Sequence, residues 1–120
     1  MAAALWFDWG VTEHDENPNV ELVNRFLRGQ NLEQVARVDE AIELYETILA
    51  AGFDSIGPYD RLIQIYSHRA AHREVVRVAE AALAAVHTYP EKRRWYEQTR
   101  EAALTAASSV PKAAPKRPAG

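Results

Sequence analysis

Cysteine is absent from this chain of 120 residues. Its absence excludes disulfide bonds, metal sites with thiolate ligands and catalysis by a thiol, and it agrees with a reducing compartment. No apolar run approaches the roughly 20 residues that a membrane-spanning helix needs. The apolar stretch 2–7 ends at Asp8 and has no basic residue before it, whereas a signal peptide has a basic start and a longer apolar segment. We therefore predict a soluble cytoplasmic protein.

Residue patterns typical of enzymes are also missing. The five glycines are scattered along the chain, so they form no glycine-rich phosphate loop, and there is neither a His-Glu-x-x-His helix nor a Ser-His-Asp constellation. His68 and His72 have the spacing of two metal ligands on a helix, but no third ligand has a defined place near them. We expect a protein that is not an enzyme and that has no cofactor or metal.

Charge and composition divide the chain into three segments. The whole sequence has a formal net charge of −3, which gives no general attraction to nucleic acid or to anionic membranes. Residues 1–17 are acidic and aromatic, without lysine or arginine, and residues 18–107 contain the apolar periodicity. Residues 108–120 are rich in alanine, proline and lysine, and we expect them to form a disordered basic tail.

Five stretches of the chain show apolar residues at spacings of three and four, and none shows the alternation of a strand. Gly52 predicts the end of the second helix, and Gly57 with the proline after it predicts the start of the third. Gly29 predicts either a close packing contact or a break in the first helix. Thr88 and Glu91 have the spacing of a capping box. The fold class is therefore all-α, with helices at about 18–35, from 39 to 51, from 57 onward, at about 73–87 and at about 90–107.

The chain nearly repeats itself at an offset of 34 residues. Residues 40–51 align with residues 74–85, and Glu46 aligns with Glu80. A fixed period of this size is typical of stacked helix-turn-helix units. Such units bury one face on each other and leave another face for partners. The period therefore predicts a binding module.

The repeated unit resembles the tetratricopeptide repeat family. In the second unit, Tyr59, Leu62 and Tyr66 follow the order of the bulky, leucine and tyrosine positions in the family's first helix. In the first unit, Gly29 and Ala41 stand at two of its small-residue positions. The resemblance implies a short superhelix of antiparallel helix hairpins, about two and a half repeats long.

The two units also depart from the family pattern. Arg25 and Arg28 stand where the first unit would have an aromatic residue and a leucine. The connections 35–37 and 69–71 lack the usual glycine between the two helices.

A partner-binding groove is implied by the same resemblance. The family's inner surface, carried onto this chain, consists of Val23, Phe26, Gln30, Glu33 and Gln34 in the first unit and of Asp60, Gln64, Ser67 and His68 in the second. Phe26 or Asp60 stands where one subgroup of the family has the lysine that grips a peptide carboxylate, so we do not expect that binding mode. The expected function is non-catalytic recognition of a protein or peptide, as an adaptor, an assembly factor or a regulatory protein.

Three aromatic residues near the start of the chain, Trp6, Phe7 and Trp9, lie among acidic residues. Exposed aromatic surface is unfavourable by about 25 cal/mol per Å². One interpretation is that these residues fold back as an N-terminal cap on the first helix pair. The alternative is a short motif that binds a groove of another protein.

Two further hypotheses concern the partner. Arg69, Arg73 and Arg77 recur every four residues and, with the basic tail, would form a cationic stripe for nucleic acid. A net acidic domain argues against this alternative. The second hypothesis is a homo-oligomer, because short repeat arrays also associate through an uncovered end face.

Overall fold

The computed structural model describes the backbone of residues 18–119 and the side chains of residues 19–109. Within this range the chain is all-α and contains no strand. The five helices are α1 (Pro18–Gln34), α2 (Val38–Ala50), α3 (Ile56–His68), α4 (His72–Ala85) and α5 (Pro90–Ala119). The all-α prediction is thereby confirmed.

Helices α1 and α2 form a first hairpin and helices α3 and α4 form a second. Helix α2 also packs against α3 and α4, and α5 lies along α4. The chain therefore builds up one layer after another, with α1 at one end and α5 at the other.

A single apolar cluster holds these helices together. Tyr45 and Ile48 of α2 and Tyr59 and Leu62 of α3 are all fully buried in it. Helix α5 contributes Tyr96, which is also fully buried. These contacts agree with two helical hairpins that stack side by side.

The two hairpin turns have the same backbone conformation, although neither contains glycine. Ala36 has a φ of 65° and Ala70, 34 residues later, has a φ of 57°. The N–H of Arg37 donates to the carbonyl of Leu32 over 2.8 Å, and the N–H of Ala71 donates to the carbonyl of Tyr66 over the same distance. Alanine thus adopts the left-handed conformation that usually favours glycine. The 34-residue period is therefore present in the backbone as well as in the sequence.

Two glycines behave as their positions predicted. Gly52 has a φ of 69° just after α2, as expected for a helix stop. Gly29 lies inside an unbroken α1, where a Cβ atom would come within 2.5 Å of the Tyr45 ring. Close packing, and not a break in the helix, explains this glycine.

Two local expectations differ from the structure. Helix α5 continues to Ala119, although we expected a disordered tail from residue 108. The three prolines in residues 108–119 disfavour a helix interior and were a reason to expect disorder. Alanine, lysine and arginine make up half of the same range and favour the helix that is observed. Thr88 does not form the expected capping box, because its N–H, which the box would direct to Glu91, donates instead to Asp54 over 3.1 Å, as does its hydroxyl over 2.8 Å.

Candidate partner-binding cleft

A cleft of about 390 Å³ opens where the end of α1, the start of α2 and the outer side of α3 meet. We call it the α1–α3 cleft. Its lining residues combine two apolar side chains with two arginines, a carboxylate, an amide and an imidazole, and they are Glu33, Val38, Arg61, Gln64, Ile65, His68 and Arg69. Ile65 is buried and Val38 is half-buried, so the cleft has an apolar base beneath a polar rim.

Glu33 links all three helices that form the cleft. It accepts two hydrogen bonds from the Arg61 guanidinium, at 2.5 and 3.0 Å, and one from the Tyr45 hydroxyl at 2.5 Å. Partial burial alone would raise the pKa of Glu33, but the hydrogen bonds from Arg61 and Tyr45 outweigh it and hold the pKa below its usual value. The carboxylate therefore stays ionised and holds Arg61 in place.

The rest of the rim is partly constrained. Arg61 also donates to the side-chain oxygen of Gln64 over 2.9 Å. Arg69, at the end of α3, pairs with Asp39 of α2 over 3.0 Å. His68 is exposed beside it. The amide nitrogen of Gln64 and the ring of His68 are therefore the polar groups that this cleft offers most directly to a partner.

The structure brings together only part of the predicted groove. Glu33, Gln64 and His68 line the α1–α3 cleft. Ser67 lines a second cleft, of about 340 Å³, between α3, α4 and α5. Asp60 is engaged inside the protein, because it accepts hydrogen bonds from Lys92 at 3.0 Å and from Tyr96 at 2.8 Å.

The predicted groove residues on α1 also separate. The Phe26 ring lies 5.8 Å from the Tyr45 ring, centroid to centroid, and occupies the space where Gly57 has no side chain. Phe26 therefore packs between helices. Val23 and Gln34 are exposed and Gln30 is half-buried, but none of these three lines the α1–α3 cleft.

Arg61 and Arg69 line the cleft without having been predicted there. The spacing of three residues between Arg61 and Gln64 places both on one face of α3, a signal that was available in the sequence. The pairing of Arg61 with Glu33, 28 residues earlier, depends on how the hairpins stack and has no sequence signal.

The proposed arginine stripe is largely occupied by ion pairs. Arg69 pairs with Asp39, and Arg77 pairs with Glu46 over 2.6 Å and with Glu74 over 2.7 Å. All three arginines are exposed, and only Arg73 forms no ion pair within residues 19–109. These pairs reduce the positive charge that the stripe presents to a phosphate backbone.

Three other predictions concern the N-terminal aromatic residues, a metal site and a membrane-spanning helix. Trp6, Phe7 and Trp9 lie outside the described residues. No cluster of three or more histidine or carboxylate side chains in the described part of the chain is arranged to hold a metal ion. Among the described helices, none has both the length and the apolar character needed to cross a membrane.

Comparisons with family models, with curated proteins and with solved structures found no match to this chain. The interpretation of the cleft therefore rests on the geometry of this chain.

Proposed function

We propose that this protein is a non-catalytic recognition module, built from tetratricopeptide-like hairpins, that binds a protein or peptide partner in the α1–α3 cleft. The observation that supports it most is the repetition of the hairpin turn at Ala36 and Ala70, with the same φ region and the same hydrogen bond. A structural repeat of this kind is typical of arrays that present a surface between units. The cleft lies at the junction of the two repeated hairpins.

The chemistry of the cleft suits a peptide segment. Val38 and Ile65 give an apolar base that would take an apolar side chain of the partner, and Gln64 and His68 would fix its polar groups. The bonds of Glu33 hold Arg61 in one conformation before binding. Binding to a preformed surface avoids much of the ordering cost that a flexible receptor incurs.

A protein partner is favoured over nucleic acid because Arg69 and Arg77 are already paired with carboxylates. The expected roles remain those of an adaptor, an assembly factor or a regulatory protein. A cytoplasmic location, expected from the sequence, is part of this proposal.

Two matched variants test the cleft. Gln64→Lys adds a long cation at the cleft rim, and Gln98→Lys makes the same change on the exposed side of α5, away from the cleft. Affinity purification from the native cell with mass spectrometry should recover a partner with the wild-type protein and with Gln98→Lys, but not with Gln64→Lys. Binding of that purified partner should then be measured directly for all three proteins. Equal affinity for both variants would refute the proposed cleft.

A further inference from the structure

An apolar stripe runs along the outward face of α1. Val20, Val23 and Leu27 are 40%, 42% and 50% exposed. At 3.6 residues per turn, spacings of three and four place them on one face of the helix. Gly29, whose backbone lies against the Tyr45 ring, is on the opposite face. The stripe therefore points away from the core that α1 shares with α2.

Helix α4, the last helix of the second hairpin, has no such stripe, because α5 covers it. Helix α5 lies along α4, where Val78 and Ala82 are completely buried together with Tyr96 of α5. Helix α1 has no described helix in the corresponding position. Within residues 18–119, therefore, no other helix covers this end face of α1, and its centre is apolar.

We propose that residues 1–17, which lie outside the described residues, cover this stripe with the side chains of Trp6, Phe7 and Trp9. The reach is sufficient. Trp9 is nine residues before Pro18, and an extended chain of that length spans up to about 30 Å. Leu27 is nine residues after Pro18, which is about 14 Å along the helix. The segment can therefore turn back at Pro18 and run along the whole stripe.

Charge favours the same arrangement. Residues 1–17 contain four carboxylates and no lysine or arginine. Arg28, the residue after Leu27 on α1, is exposed and forms no ion pair within residues 19–109. Carboxylates of the segment would gain a cation there, as opposite charges do at protein surfaces.

A second copy of the chain fits this surface less well. A stable interface between proteins buries about 800 Å² on each partner, and three half-exposed aliphatic side chains supply only part of that area. A tethered segment needs less, because attachment gives it an effective concentration in the millimolar range. This contact would form whether or not the α1–α3 cleft binds a partner.

Tryptophan fluorescence of the full chain tests the proposal. In a Trp95→Phe background, Trp6 and Trp9 are the only tryptophans, and excitation at the red edge of the tryptophan absorption avoids emission from tyrosine. We expect blue-shifted emission and slow acrylamide quenching, at a rate that does not change with protein concentration. Leu27→Glu should shift both properties toward those of the urea-unfolded chain. The matched control Leu104→Glu, at a residue of similar exposure on α5, should leave both unchanged.

Three results would overturn the proposal. The first is solvent-like emission in the parent protein, which would mean that the tryptophans are not covered. The second is equal quenching of the Leu27→Glu and Leu104→Glu variants. The third is protection that appears only at high concentration, with a dimer mass by light scattering, which would assign the stripe to a second copy. Far-UV circular dichroism checks that Leu27→Glu folds, and Leu27→Gln serves as a milder variant.

Discussion

The two hairpins place their large and small residues on opposite helices. In the first hairpin, the large Tyr45 of α2 lies against Gly29 of α1. At the positions 34 residues later, the small residue is Ala79 of α4 and the large one is Ile63 of α3, and both are buried. At these two positions the repeat thus keeps one large and one small buried residue, while exchanging which helix carries each. A close helix crossing needs a fixed total volume more than it needs a particular residue.

The exchange also moves a polar group. The hydroxyl of Tyr45 bonds to Glu33, which Ala79 in the second hairpin cannot reproduce. The second hairpin instead places Tyr66 of α3 on Glu46 of α2, at 2.6 Å, and Arg77 pairs with the same carboxylate. Two helix junctions, α1–α2–α3 around Glu33 and α2–α3–α4 around Glu46, are therefore each stabilised by a tyrosine, a carboxylate and an arginine. The three residues come from different positions in the two repeats.

The largest effects should come from copying the second hairpin into the first. Gly29→Ile forces a side chain into the Tyr45 ring and should cost about 3 kcal/mol of unfolding free energy. Tyr45→Ala removes a fully buried ring and should cost about 3–5 kcal/mol. The double variant should cost about 1–3 kcal/mol less than the sum, because the introduced isoleucine would occupy the space that the ring leaves. Urea unfolding followed by circular dichroism measures all three, and simple additivity would show that the two hairpins are not interchangeable.

Loss of the Tyr45 hydroxyl should lower the free energy of unfolding more than loss of the Tyr66 hydroxyl. Tyr45→Phe should cost about 1–2 kcal/mol, because it removes a hydrogen bond to a charged group. Tyr66→Phe should cost less, since the Glu46 side chain is 28% exposed and the Glu33 side chain is 15% exposed. The same urea experiment compares the two variants. A larger loss of stability for Tyr66→Phe would contradict the argument that the less exposed carboxylate, Glu33, forms the stronger hydrogen bond.

Acid should weaken both junctions. Burial alone would raise the pKa of Glu46, but hydrogen bonds from Arg77 and Tyr66 lower it below its usual value, as happens at Glu33. A lowered pKa in the folded protein adds stability above the unfolded pKa, and this stability is lost as the pH falls through the folded pKa. The urea midpoint should therefore fall between about pH 6 and about pH 3. Glu33→Gln and Glu46→Gln should each flatten that fall, and an unchanged slope in both would rule out these carboxylates as its source.

Glycine should stabilise the two hairpin turns, at residues 36 and 70, by equal amounts. Ala36→Gly and Ala70→Gly relieve a left-handed alanine, and each should stabilise the protein by about 0.5–1 kcal/mol. Ala102→Gly, at an exposed position inside α5, is the control and should destabilise it by about 1 kcal/mol. Thermal unfolding detects these changes, and a gain at only one turn would mean that the two turns are not equivalent.

Helix positions were predicted well because they depend on neighbours in the sequence. Gly52 stopped α2 as expected, and Gly29 marked a close approach. The candidate cleft was predicted less well. Asp60 matches an inner-surface position of the tetratricopeptide pattern, yet its carboxylate accepts hydrogen bonds from Lys92 and Tyr96 of α5. Whether α5 reaches back to α3 is a question of packing, which residue spacing alone does not answer.

The amino-acid order by itself determined the helical class, the places where most of the helices end and the 34-residue period, because these follow from local propensity and apolar spacing. The stacking of the hairpins decided which charges meet, such as Glu33 with Arg61. It also decided which predicted groove residues stay open to a partner. Partners far apart in the chain are chosen by the distance between packed helices, and that distance exists only once the core has formed.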